Sequence, residues 1–94
     1  MDTITCQMTK MIKYSLILIQ YLSDQGETQH LPIKEYLDTH EHTELSDIEI
    51  FNITCCLLRI ISERDPKYIE DYKLMKKQLE ILIILDKVEN TLFR

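Results

Sequence analysis

Apolar residues recur at alternating spacings of four and three along the first quarter of the chain. The positions that share this spacing are Ile4, Met8, Met11, Ser15, Leu18 and Leu22. A heptad-like row of this kind is typical of one face of an amphipathic helix. Asp2 or Thr3 can cap its start, and Gly26 follows Asp24 closely, where a left-handed residue commonly ends a helix. The pattern predicts a first long helix that ends at about Asp24.

A shorter helical pattern follows a loop at residues 26–30. Leu31 and Pro32 open it, and proline is tolerated in a first helical turn because its missing N–H has no partner there. The side chains expected to face inward are Ile33, Tyr36 and Leu37. The stretch 39–45 is polar and acidic, so we expect a connecting loop.

The next segment begins with the sequence of a capping box. Ser46 can accept a hydrogen bond from the backbone N–H of Glu49, and the Glu49 carboxylate can reach back to the backbone of Ser46. The following run, 48–61, is rich in β-branched residues and could be argued as a strand. Its length without a turn residue, together with the capping box, favours a third helix that ends at about Glu63.

Asp65 and Pro66 mark the start of a fourth helix, with aspartate as N-cap and proline in the first position. The residues that mark one face are Ile69, Tyr72, Met75, Leu79, Leu82, Leu85 and Leu92. A helix that runs from there to the C-terminus would be roughly 40 Å long. That exceeds the diameter of so small a globule, so we expect the helix to kink or its end to project into a partner.

Turn residues are scarce, since the 94 residues include one glycine and two prolines. Small β-rich domains need tight turns, which need such residues. We therefore predict an all-α protein, a small bundle of three long helices and one short helix in a single domain that spans residues 1–94. Dimerisation or a partner chain could complete such a bundle.

The negative charge is concentrated in the middle of the chain. Residues 24–49 carry eight carboxylates against one lysine, a net charge of −7, while the whole chain has a net charge of −5. Such a block repels nucleic acid and attracts basic surfaces. Glu41, Glu44 and Asp47 are the candidates for steering a partner toward this region.

Chemistry-bearing residues are few and poorly spaced. Zinc sites usually need two pairs of ligands two to four residues apart, whereas this chain offers His40 with His42, and adjacent Cys55 and Cys56. The single glycine rules out a phosphate-binding loop, and no nucleophile or metalloprotease signature is present. We therefore expect neither an enzyme nor a bound metal or cofactor.

The chain has three cysteines, and their spacing does not match a disulfide framework, which favours a reducing compartment. Lys10 and Lys13 precede an apolar run, but no small-residue cleavage site follows, so a signal peptide is not expected. No stretch approaches the ~20 apolar residues that a membrane span needs. The expected location is the cytoplasm.

Two segments, 14–22 and 81–85, carry apolar groups on nearly every face of their helices. One small bundle covers only one side of a helix, so part of this surface is expected to contact another chain. The residues predicted to bind a partner through apolar contact are Leu18, Leu22, Leu82, Ile83 and Leu85.

These patterns favour a small acidic protein that acts by binding another protein, in a homo-oligomer or a hetero-complex, and the acidic block suits a basic partner. It would mask or neutralise its partner, as a secretion chaperone or an immunity or antitoxin-type inhibitor does. A microbial or viral effector that binds a host protein would share the same profile. A helical DNA-binding regulator is a further alternative, but it needs an exposed recognition helix with basic or amide side chains on one face.

Overall fold

The computed structural model describes residues 3–41 and 44–92, and the side chains of residues 10–41 and 44–92. Asp2 and His42 therefore lie outside the described residues, as do the side chains of Ile4, Met8 and Cys6.

Four α-helices account for nearly all of the described chain. They are α1 (Thr3–Asp24), α2 (Leu31–Thr39), α3 (Asp47–Arg64) and α4 (Ile69–Leu92), and a 3-10 turn at Pro66–Tyr68 leads into α4. No strand occurs in the segments 3–41 and 44–92. The prediction of an all-α bundle with three long helices and one short helix is confirmed.

The predicted capping box at the start of α3 is present. The Glu49 backbone N–H donates to the Ser46 hydroxyl at 3.2 Å, and the Ser46 backbone N–H donates to the Glu49 carboxylate, also at 3.2 Å. The Tyr36 hydroxyl donates to the same carboxylate at 2.7 Å, so α2 is attached to the first turn of α3. Tyr36 itself is exposed and stacks on His40, which makes its predicted inward position wrong.

α3 lies at the centre of the fold and packs against both α1 and α4. Most of its apolar side chains are buried because neighbours cover it on two sides. The buried residues of α3 are Ile50, Thr54, Cys55, Leu57, Leu58, Ile60 and Ile61. Leu37 and Leu45, from α2 and the loop that follows it, add to the same core.

α1 and α3 run in the same direction. Ser15 of α1 contacts Thr54 of α3 through their hydroxyl oxygens at 2.8 Å. Further along, Glu27 just beyond α1 accepts a hydrogen bond from Arg64 at the end of α3, at 2.7 Å. α4 returns antiparallel to α3, since Ile48 near the start of α3 lies beside the second half of α4. The fold is elongated, with extents of 46 × 27 × 25 Å.

Candidate protein-binding surface on α4

The inner face of α4 is apolar over only half of the helix. Its inward positions are spaced by four and three residues, and the half-buried side chains among them are Tyr68, Tyr72, Met75, Leu79 and Leu82. The next positions in this row are Asp86 and Glu89, which are exposed. The predicted apolar face therefore stops at Leu82, and the row beyond it is acidic.

A second row on α4 has the same spacing and is exposed along its whole length. We call it the α4 stripe, and its members are Leu74, Gln78, Ile81, Leu85, Val88 and Leu92. The five apolar side chains of the stripe are 45–69% exposed. The predicted single face of α4 is therefore divided, because Leu85 and Leu92 lie on this exposed row and not on the inner row with Tyr72 and Leu79.

Two larger grooves run beside this stripe, and a smaller one of about 230 Å³ lies at its end, lined by Lys87, Val88, Thr91 and Leu92. The first, which we call the α1–α4 groove, has a volume of about 620 Å³. Its described lining consists of Lys10, Met11, Tyr14, Phe51, Met75, Gln78, Ile81 and Leu82. Phe51 belongs to α3, so the groove exists because α1 and α4 flank α3 without closing over it at this level.

The second groove, which we call the α3–α4 groove, has a volume of about 430 Å³. Its described lining consists of Ser46, Asp47, Ile48, Leu82, Leu85, Asp86 and Glu89. Leu82 lines both grooves, so they follow each other along α4 as one continuous surface.

The two grooves carry opposite charge. The described lining of the α1–α4 groove contains Lys10 as its ionised group, while that of the α3–α4 groove contains Asp47, Asp86 and Glu89. Apolar side chains lie between these charged ends. The surface is thus an apolar strip that is basic at one end and acidic at the other, a pattern that can recognise a helix with the opposite arrangement.

The structure brings together three of the residues that the sequence singled out for partner binding. Leu82, Leu85 and Asp47 line the same groove. Glu41 and Glu44 are exposed on the loop before α3, as predicted for steering residues, but they do not belong to the described lining of either groove.

Leu18 and Leu22 do not belong to an exposed surface. Their side chains are 2% and 0% exposed, because both lie on the row of α1 that packs into the core. Their predicted place in a partner surface is wrong on this ground. The exposed apolar groups of the same segment are Leu16 and Ile17, which the predicted set omitted.

Ile83 is 36% exposed and is not among the lining residues of either groove. Residues two positions apart differ by about 200° in their direction around the helix axis, so Ile83 points away from the side that Ile81 occupies. Met11, Tyr14 and Phe51 were not predicted to line a binding surface. The stripe could have been predicted from its heptad spacing, which is visible in the sequence. The part of the groove formed by α1 and α3 depends on how these helices pack.

The remaining ionisable groups offer little chemistry. His30 is fully buried, and its Nε2 lies 3.0 Å from the Ser23 hydroxyl while Nδ1 has no hydrogen-bond partner among the described residues. Burial lowers the pKa of this imidazole, partly opposed by the nearby Glu27 carboxylate. Burial also raises the pKa of the Cys55 thiol, which keeps it protonated and unreactive. Within the described residues, no group of three potential metal ligands converges.

No family model, characterised protein or solved structure matches this chain. Among the described helices, none is both long enough and apolar enough to cross a membrane. The function of this chain is therefore inferred from its geometry.

Proposed function

We propose that this protein acts by binding another protein chain through the α4 stripe and the two grooves beside it. The observation that carries the proposal is the stripe itself, in which five large apolar side chains are 45–69% exposed in one continuous row. Single exposed leucines are common on protein surfaces, but a contiguous apolar row beside a groove marks an interaction site. A helix laid along α4 would cover it.

The charged residues near the stripe determine which kind of partner surface fits. Asp47, Asp86 and Glu89 line the α3–α4 groove, and Glu41 and Glu44 are exposed on the adjoining loop. Charges at the edge of an interface mainly accelerate encounter with a surface of opposite sign. The partner surface that fits best therefore combines an apolar helix face with basic groups at one end.

Masking or neutralising a partner is one role that such a surface can serve, and pairing with a second copy is another. A secretion chaperone, an immunity or antitoxin-type inhibitor and a host-directed effector would each use it in the same way. A cytoplasmic setting suits the thiol of Cys55, which is free and buried. A DNA-binding regulator is less well supported, because the exposed row on α4 is apolar where a recognition helix needs basic or amide side chains.

The experiment is photo-crosslinking in the native cell. A photoreactive amino acid is placed at Leu85, on the stripe, and in a matched control at Ile17, an exposed apolar residue of α1 that is absent from the described lining of both grooves. A partner of the α4 surface should crosslink from position 85 and not from position 17. Mass spectrometry then identifies it.

Binding of the purified partner supplies the quantitative test. The change Leu85→Glu removes an apolar contact and places a carboxylate in the interface, so it should weaken binding about tenfold while circular dichroism shows an unchanged fold. Neutralising Glu41, Glu44 and Asp47 should instead slow association and flatten its dependence on salt. A folded Leu85→Glu protein that binds the partner with unchanged affinity would rule out the α4 surface as the binding site.

A further inference from the structure

We propose that the occupant of the α4 surface is a second copy of this chain, packed antiparallel along α4 about a two-fold axis near Leu82. This inference rests on the proposed function, because it names the partner of the same surface. Two independent features of the described residues support it, which are the spacing of the α4 stripe and the order of charge along the two grooves.

The spacing of the stripe is that of a helix-pairing seam. Its six members alternate by four and three residues from Leu74 to Leu92, which is the repeat that lets two helices keep contact along their length. The row is also close to symmetric about its middle. In an antiparallel pair centred at the level of residue 83, Leu74 of one copy meets Leu92 of the other, Ile81 meets Leu85, and Gln78 meets Val88. Apolar side chains therefore meet apolar side chains at two of the three levels.

The order of charge selects the antiparallel arrangement. The α1–α4 groove, with Lys10, lies beside the first half of α4, and the α3–α4 groove, with Asp47, Asp86 and Glu89, lies beside the second half. A two-fold axis near Leu82 places the basic groove of each copy against the acidic groove of the other. A parallel pair would place the two acidic grooves side by side, where like charges repel.

The area of the two stripes alone is too small to hold a stable dimer together. The stripe is about 27 Å long at ~1.5 Å per residue, and a helix is roughly 10 Å wide, so its projected area is on the order of 270 Å². A stable dimer buries about 800 Å² on each partner. The second α4 therefore has to enter the grooves and contact α1 and α3 through residues such as Tyr14 and Phe51. The volumes of about 620 and 430 Å³ leave room for its side chains.

Sedimentation equilibrium of the full chain tests the proposal with two matched variants. Ile81→Glu places a charge on the stripe, and Ile83→Glu places the same charge on the same helix about 200° away. We expect the natural protein to be a dimer, Ile81→Glu to be a folded monomer, and Ile83→Glu to remain a dimer. Circular dichroism and urea unfolding establish that each variant is folded.

Charge reversal supplies a second test that does not disturb an apolar residue. Lys10 and Glu89 are both exposed, so reversing them leaves the core unchanged. Lys10→Glu and Glu89→Lys should each weaken dimerisation by about tenfold, and the double variant should recover most of the loss because the opposite charges again face each other. This test decides the question even if Ile81→Glu fails to fold.

Three results would overturn the inference. They are a natural protein that stays monomeric at every attainable concentration, a folded Ile81→Glu variant that still dimerises, and charge reversals whose effects add in the double variant. If the natural protein is monomeric but position 85 crosslinks to a different protein, the α4 surface binds a hetero-partner and only the identity of its occupant was wrong. If it is monomeric and position 85 captures nothing, the proposed function fails as well.

Discussion

The hydrogen bond between Ser15 and Thr54 is a buried polar contact that joins α1 to α3. Both side chains are buried, at 2% and 0% exposure. Both hydroxyl protons have a partner when Thr54 donates to the Ile50 carbonyl oxygen, at 2.9 Å, and Ser15 donates to Thr54 Oγ1, at 2.8 Å. The two residues therefore have unequal roles, since Thr54 is the acceptor on which Ser15 depends.

Unequal roles predict unequal costs. Thr54→Val keeps the shape of the side chain but leaves the Ser15 hydroxyl buried without its acceptor, which costs about 1–3 kcal/mol. Ser15→Ala leaves Thr54 still donating to the Ile50 carbonyl, so it should cost only about 0.5–1.5 kcal/mol. The double variant places apolar groups on both sides of the contact and should cost no more than Thr54→Val alone. The two changes should therefore be less than additive, by roughly 0.5–1.5 kcal/mol.

Urea unfolding of the four proteins measures this cycle, with the slope of the transition used to check two-state behaviour. Thr91→Val is the matched control, because Thr91 also donates to the carbonyl oxygen four residues back, at 2.9 Å, but is exposed. It should change the free energy of unfolding by no more than about 0.5 kcal/mol. Additive effects of Ser15→Ala and Thr54→Val, within about 0.3–0.5 kcal/mol, would refute a coupled buried hydrogen bond.

Three further predictions concern other parts of the fold. Ser46→Ala should lower the free energy of unfolding by about 0.5–2 kcal/mol, because the first turn of a largely buried helix loses its cap, and an unchanged melting temperature would contradict this. Since burial lowers the pKa of His30, the unfolded chain takes up the proton first as pH falls below ~6.5, so stability should be full above that pH and decline below it by at most about 1.4 kcal/mol per pH unit. In His30→Gln this decline should disappear from urea unfolding between the ordinary histidine pKa and the range where carboxylates titrate. Cys55→Ser should destabilise the protein by about 1–3 kcal/mol and the less buried Cys56→Ser by less, and stoichiometric zinc in protein purified without added metal would show that these thiols have another role.

Features that depend on neighbours along the chain could be predicted from the sequence. The capping box needs only Ser46 and Glu49, which lie within one helical turn, and both of its hydrogen bonds are present. The predicted cap at Asp65 is similarly local, since its carboxylate accepts a hydrogen bond from the Lys67 backbone, but it begins the 3-10 turn Pro66–Tyr68, and α4 itself begins at Ile69. Helix bounds follow from such signals, because caps and turn residues act over a few positions.

Features that depend on packing could not be predicted in the same way. Leu18 and Leu85 both stand in apolar segments, but the first is buried and the second is 53% exposed. The difference arises because α1 packs into the core at Leu18, while the start of α3 borders the second half of α4 only along an open groove that leaves Leu85 exposed. The partner of Ser15 lies 39 positions away, so its hydrogen bond also becomes visible only in the fold.

The second half of α4 links the stability of this chain to its binding. α4 has no fully buried residue, and beyond Leu82 its apolar side chains face solvent. A helix segment with few buried contacts is held mainly by its own hydrogen bonds, which are of marginal stability over a few turns in water. A partner laid along the α4 stripe would supply the missing apolar contacts, and part of the binding free energy would then go into holding residues 83–92 helical. A change on the α4 stripe that weakens binding of the partner should therefore also lower the helix content of residues 83–92 in the complex, since both depend on the same exposed row.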